Sequence, residues 1–72
     1  MKKMNVVVGT LSDEVFDALD DMFEKIGVNI IEKRYDLLYH RYEIHARVNL
    51  QQVYKLRKFV QSHNAEILFL GV

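Results

Sequence analysis

Hydrophobic residues along this chain recur with two spacings, every second residue and every third or fourth. The spacings succeed one another in the order strand, helix, strand, strand, helix, strand. The first strand covers residues 4–9. Ser12 follows as an N-cap whose hydroxyl accepts from an otherwise unpaired amide. Asp13 and Glu14 occupy the first helical turn, where the positive end of the helix dipole favours acids. Leu11 and Phe16 stand at the spacing of a hydrophobic staple. Val15, Leu19, Met22, Phe23 and Ile26 make one apolar stripe, and Asp17, Asp20, Asp21 and Glu24 face away from it. Gly27 ends the helix where a left-handed residue is needed.

Strands over residues 28–35 and 39–48 come next. In the second of these, Tyr42, Ile44, Ala46 and Val48 alternate with Arg41, Glu43, His45 and Arg47, which predicts one buried and one wet face. Asn49 caps a second helix, with Gln52 placed to complete a capping box and Val48 and Val53 as the staple. Leu50, Val53, Leu56 and Val60 are expected to face the sheet, and Lys55 and Lys58 water. Asn64 fits a left-handed C-cap, and a last strand runs over residues 65–72. This order predicts one α+β domain over residues 1–72. It is a ferredoxin-like βαββαβ sandwich whose antiparallel sheet has the order 4-1-3-2, with two helices on one face.

Two segments depart from that pattern. Val6-Val7-Val8 and Ile67-Leu68-Phe69-Leu70 are apolar on both faces, as in strands covered on both sides. The last strand is also an edge, where exposed apolar length invites pairing. A homodimer is therefore expected, formed by strand addition or by packing across the helix-free face, with Val7, Leu68 and Leu70 in the interface. The hairpin between the second and third strands holds Leu37 and Leu38 at its tip and lacks Asn-Gly chemistry. Either these leucines fold back over the end of the core, which is the expectation taken, or they meet a partner.

Composition narrows the function classes. A chain of 72 residues buries only roughly 60% of its unfolded surface, so burial against a partner is a natural supplement to its core. Without cysteine, neither disulfides nor thiolate metal sites are available. The longest apolar runs are too short to span a membrane, and no signal-peptide pattern follows Met1-Lys2-Lys3, so a soluble, cytoplasmic protein is expected. Formal net charge is zero, but acids dominate residues 1–32 and bases residues 33–72. That balance argues against a dedicated nucleic-acid binder, and strand one carries no aromatic on which a base would stack. Weak binding through Arg41, Arg47, Lys55 and Lys58 is the nucleic-acid alternative. No catalytic residue, metal ligand or cofactor is assigned. The histidines do not pair, the acidic ridge of helix one does not converge, and Ser12 and Ser62 lack a base and an orienting group.

One stretch carries a resemblance. Val15, Phe16, Leu19 and Phe23, followed by Gly27-Val28-Asn29-Ile30, fall in register with the first half of ACT domains, small regulatory modules that commonly sense amino acids. Over residues 6–30 the chain resembles that family, and beyond them it matches only in strand-helix-strand order. The resemblance implies a regulatory, self-associating module with a ligand contacted near Ser12, Asp13, Glu14 and Asn29. It also implies a difference: the family's ligand loop carries Asp-x-Pro-Gly, whereas Glu14 stands where the glycine should be and no proline is present. Three functions follow as expectations. The first is a non-enzymatic regulatory or interaction module that self-associates and senses a small molecule. The second is a small protein that modulates another protein, and the third a weak nucleic-acid binder.

Overall fold

The structure, a computed structural model, describes residues 2–72. Its elements are β1 (Met4–Thr10), α1 (Asp13–Lys25), β2 (Asn29–Asp36), β3 (Arg41–Val48), α2 (Leu50–Ser62) and β4 (Glu66–Gly71). The four strands form one antiparallel sheet in the order β2-β3-β1-β4, the ferredoxin-like topology that the hydrophobic pattern predicts. Val6, Val8, Ile44, Ala46 and Val48 project from the sheet onto Leu19 and Phe23 of α1 and Val53 and Leu56 of α2, and these residues are the buried core. Phe16, Tyr42 and Tyr35 extend it toward the hairpin, their ring centroids 5.1 and 4.9 Å apart in successive pairs. No helix among the described residues is long and apolar enough to cross a membrane.

The helix starts follow the sequence signals. The Ser12 hydroxyl accepts from the Val15 amide at 3.2 Å. At α2 the Gln52 amide donates to Asn49 Oδ1 and the Asn49 amide donates to Gln52 Oε1, both at 2.9 Å, a closed capping box. Gln52 also donates its side-chain amide to the Ile26 carbonyl at 3.1 Å, tying α2 to the end of α1. Replacing Asn49 with alanine is expected to cost about 1 kcal/mol, read as a lower denaturant midpoint with an unchanged slope. Gly27 holds a φ of 74°, so a side chain there would be strained.

Several sequence expectations are corrected by the fold. Leu50 is 70% exposed rather than facing the sheet, because the first residue of α2 precedes the turn that docks on it. Asn64 is not left-handed: α2 ends at His63 in extended backbone, with the His63 ring stacked on Phe59 at 3.9 Å. The left-handed non-glycine residue among those described is His40, at φ 52°, in the hairpin. There Asp36 Oδ1 accepts from the amides of Leu38 at 2.8 Å and Tyr39 at 3.1 Å, an Asx turn that replaces Asn-Gly chemistry. Leu37 and Leu38 are each 78% exposed, so they project from the turn and do not fold back over the core.

Candidate functional site

The helix-free face of the sheet is built from alternate residues of four strands. Register places Asn5, Val7 and Gly9 of β1 opposite Arg47, His45 and Glu43 of β3, with Asn29, Glu32 and Arg34 of β2 beyond them. On the other side of β1, Val7 lies opposite Phe69, Asn5 opposite Gly71 and Gly9 opposite Glu66. The pairing of β1 with β4 shifts between Val7 and Val8, leaving Leu68 as the extra residue. Its side chain lies over Gly9, where an added Cβ would come within 2.7 Å of Leu68 Cδ1. Leu68 and its neighbour Phe69 thus stand on the same face, and Leu70 turns to the other, opposite Val6 and packed against the core.

That shift decides which of the residues expected in an interface share the helix-free face. Strict alternation puts Leu68 and Leu70 together, whereas one inserted residue pairs Leu68 with Phe69 and sends Leu70 inward. Val7 and Leu68 are on the helix-free face as expected. Phe69, 51% exposed, is the residue that the sequence pattern did not single out. A bulge is invisible to period-two counting, since only the pairing with a neighbour reveals which residue is extra.

The charged half of the face is organised around Glu43, which is only 3% exposed although no layer covers it. Arg41 donates Nε–H to Glu43 Oε2 at 2.9 Å, and Arg34 donates Nε–H to Oε1 at 3.2 Å. His45 Nε2 lies 3.2 Å from the same Oε1. Glu43 is therefore not the water-facing residue that alternation predicts: long neighbouring side chains lie over it. Burial pushes its carboxyl up, but the hydrogen bonds from Arg41, His45 and Arg34, with the Arg41 charge, outweigh that and hold it below the usual carboxylate range. Nearby, Arg47 donates to Asn5 Oδ1 at 3.1 Å. The face is thus divided, with Val7, Leu68 and Phe69 as its apolar centre over β1 and β4, Asn5 and Glu66 at the ends of those strands, and charge over β3 and β2.

At the hairpin end of the sheet a cleft of about 350 Å³ is lined by Gly9, Leu11, Tyr39, Arg41, Asn64 and Glu66. The Arg41 guanidinium lies 4.5 Å from the centre of the Tyr39 ring. Thr10, whose hydroxyl donates to the Asn64 carbonyl and accepts from the Ser12 amide, ties the loops that form its floor. None of Ser12, Asp13, Glu14 or Asn29 lines this cleft. The Ser12 hydroxyl is engaged as a cap, and Asp13 and Glu14 are exposed in the first turn of α1. Asn29 pairs with Arg47, in register with Asn5, whereas Ser12 follows Thr10 at the other end of β1. The residues expected to share a ligand are at opposite ends of the sheet within one chain, because α1 runs the length of the sheet between them. The basic side expected for nucleic acid divides as well. Arg41 and Arg47 lie on the helix-free face, and Lys55 and Lys58 on α2 in the opposite layer, with Lys58 Nζ 4.8 Å from the centre of the Tyr54 ring.

Gly9 offers a local probe of this face. Replacing it with alanine is expected to push Leu68 aside and crowd Arg41 Cδ, 3.4 Å from the added carbon. Because Leu68 meets it with a movable side-chain end, the expected loss is about 1 kcal/mol, at the low end of overpacking costs, measured by thermal denaturation. Compared with known proteins, the chain matches no family model and shows no significant match to a characterised protein sequence.

Proposed function

We propose that this chain is a non-enzymatic interaction module that works by self-association, and that its resemblance to ACT domains reflects a regulatory role. One observation carries this: Val7, Leu68 and Phe69 form an apolar half-face on a sheet whose second side has no covering layer. Apolar surface of this kind is normally buried against something. A chain of 72 residues gains proportionally from a partner, because its own core is small. The test is the concentration dependence of thermal unfolding. A dimer is stabilised by mass action, so its midpoint rises with protein concentration, whereas the midpoint of a monomer does not move.

Small-molecule sensing is assigned in this proposal to the cleft bounded by Arg41, Tyr39 and Glu66, which sets an aromatic ring beside charges of both signs. A ligand present at about 100 times its dissociation constant is expected to stabilise the fold by roughly 2.7 kcal/mol. A thermal-shift panel of amino acids and nucleotides reads this directly, and a flat panel contradicts sensing. A second reading, modulation of another protein, is favoured by the exposed leucines of the Asx turn. If it holds, Leu37→Asp/Leu38→Asp abolishes capture of that protein and leaves the unfolding free energy within about 0.5 kcal/mol of the original, as for other exposed substitutions.

A further inference from the structure

We infer that the partner of the helix-free face is a second copy of this chain, stacked face to face about a two-fold axis that crosses the strands beside Ile44. The inference rests on the self-association proposed above and specifies its geometry. Strand addition is the competing arrangement, and both edges of the sheet oppose it. β2 carries an extra residue at Ile31 together with Glu32, Lys33 and Arg34, and β4 is interrupted by the extra residue Leu68. Bulges and charges are devices that spoil an edge as a template for pairing. The bulge of β4 also alternates its side chains out of step, so a copy paired across the edge would set core-facing against open-facing residues. The same bulge gathers Leu68 and Phe69 on the helix-free face.

The two central rows of that face are complementary to each other. One row reads Arg34, Glu43, Gly9 and Glu66 across β2, β3, β1 and β4, with the Leu68 side chain lying over Gly9, and the next reads Glu32, His45, Val7 and Phe69. A two-fold axis running between these rows, across the strands, lays each row over the other in the second copy. Arg34 then faces Glu32 of the second copy, Glu43 faces His45, Gly9 with the Leu68 side chain over it faces Val7, and Glu66 faces Phe69. Bases meet acids over β2 and β3, and the Leu68 side chain lying over Gly9 packs on Val7 of the second copy. Packed sheets are about 10 Å apart, within reach of side chains from both.

Two costs are small here. Glu43 is already withdrawn from water within its own protomer, so covering it adds little further desolvation. Arg41 and Arg47, which a strictly parallel stacking brings near each other, already bond to Glu43 and Asn5, and they lie outside the central rows. There the rotation of about 30° between packed sheets carries them sideways.

The test measures the weight-average mass of the full chain and two variants across a concentration series, with circular dichroism to confirm folding. Val7→Lys puts a charge at the centre of the stacked face yet one strand away from the β4 edge, and is expected to weaken the dimer at least 100-fold. Glu32→Arg, on the edge strand farthest from β4, sets arginine against Arg34 of the second copy twice and is expected to weaken it about tenfold, less in high salt. A dimer that survives both substitutions overturns face-to-face stacking while leaving self-association standing. A wild-type chain that stays monomeric overturns both. Glu32 is exposed and makes no ion pair among the described residues, so that variant decides the matter if Val7→Lys does not fold.

Discussion

Replacing Glu43 with alanine is expected to destabilise the protomer by about 2–3 kcal/mol, measured by urea unfolding at neutral pH. The substitution removes three hydrogen bonds to basic groups, a class worth about 1.5–3 kcal/mol each where the partners are desolvated. The partners here keep contact with water, Arg34 through about half of its side chain and Arg41 and His45 through a quarter. The loss therefore falls below the full penalty for orphaning a buried charge. The same carboxylate makes the protein sensitive to acid. Its folded pKa lies below the ordinary value of 4.5, so the unfolded chain takes up its proton first as pH falls. The contribution of Glu43 is complete above pH 4.5 and is lost as pH falls below that, through the lower folded value. In Glu43→Gln the dependence of the urea midpoint on pH below 4.5 is expected to flatten, and an unchanged slope contradicts this account of the cluster.

Replacing Phe23 with alanine is expected to have the largest effect on folding. Its ring is fully buried between α1 and the sheet, among Leu19, Ile44 and Leu56. Truncating a buried phenylalanine typically costs about 3–5 kcal/mol, the sum of lost burial and the cavity left behind. At roughly 0.05–0.15 kcal/mol per residue, a domain of 72 residues holds only about 4–11 kcal/mol in total. Phe23→Ala is thus expected to leave a substantial unfolded population at 37 °C, seen as lost near-ultraviolet dichroism and a broadened melt. A loss below 1 kcal/mol contradicts the placement of Phe23 at the centre of the core.

The fold was legible in the sequence because its local signals agree with its global pattern. Ser12, Gly27, Asn49 and Gln52 punctuate the helices where the structure ends them, and period-two alternation marks β3 without ambiguity. What escaped depends on neighbours. Counting along one strand gives no indication that Leu68 is an extra residue, so it assigns Leu70 to the wrong face. Alternation places Glu43 in water, because the burial comes from side chains on β2 and β3 that lie over it. The turn at Asp36 does carry a sequence signal, because an aspartate just before a four-residue tip is itself turn chemistry. For the candidate site, Val7 of β1 and the charged row of β3 were legible, and the withdrawal of Glu43 from water within that row was not. The resemblance over residues 6–30 brings together, along the chain, ligand positions that α1 holds apart in space.

Self-association gives the helix-free face its proposed use, since that face serves only if something covers it. Sedimentation equilibrium of the unmodified chain from low micromolar to near-millimolar concentration tests it most directly. The predicted result is a mass that rises with concentration from 8.5 kDa toward twice that value. A mass of 8.5 kDa at every concentration contradicts it.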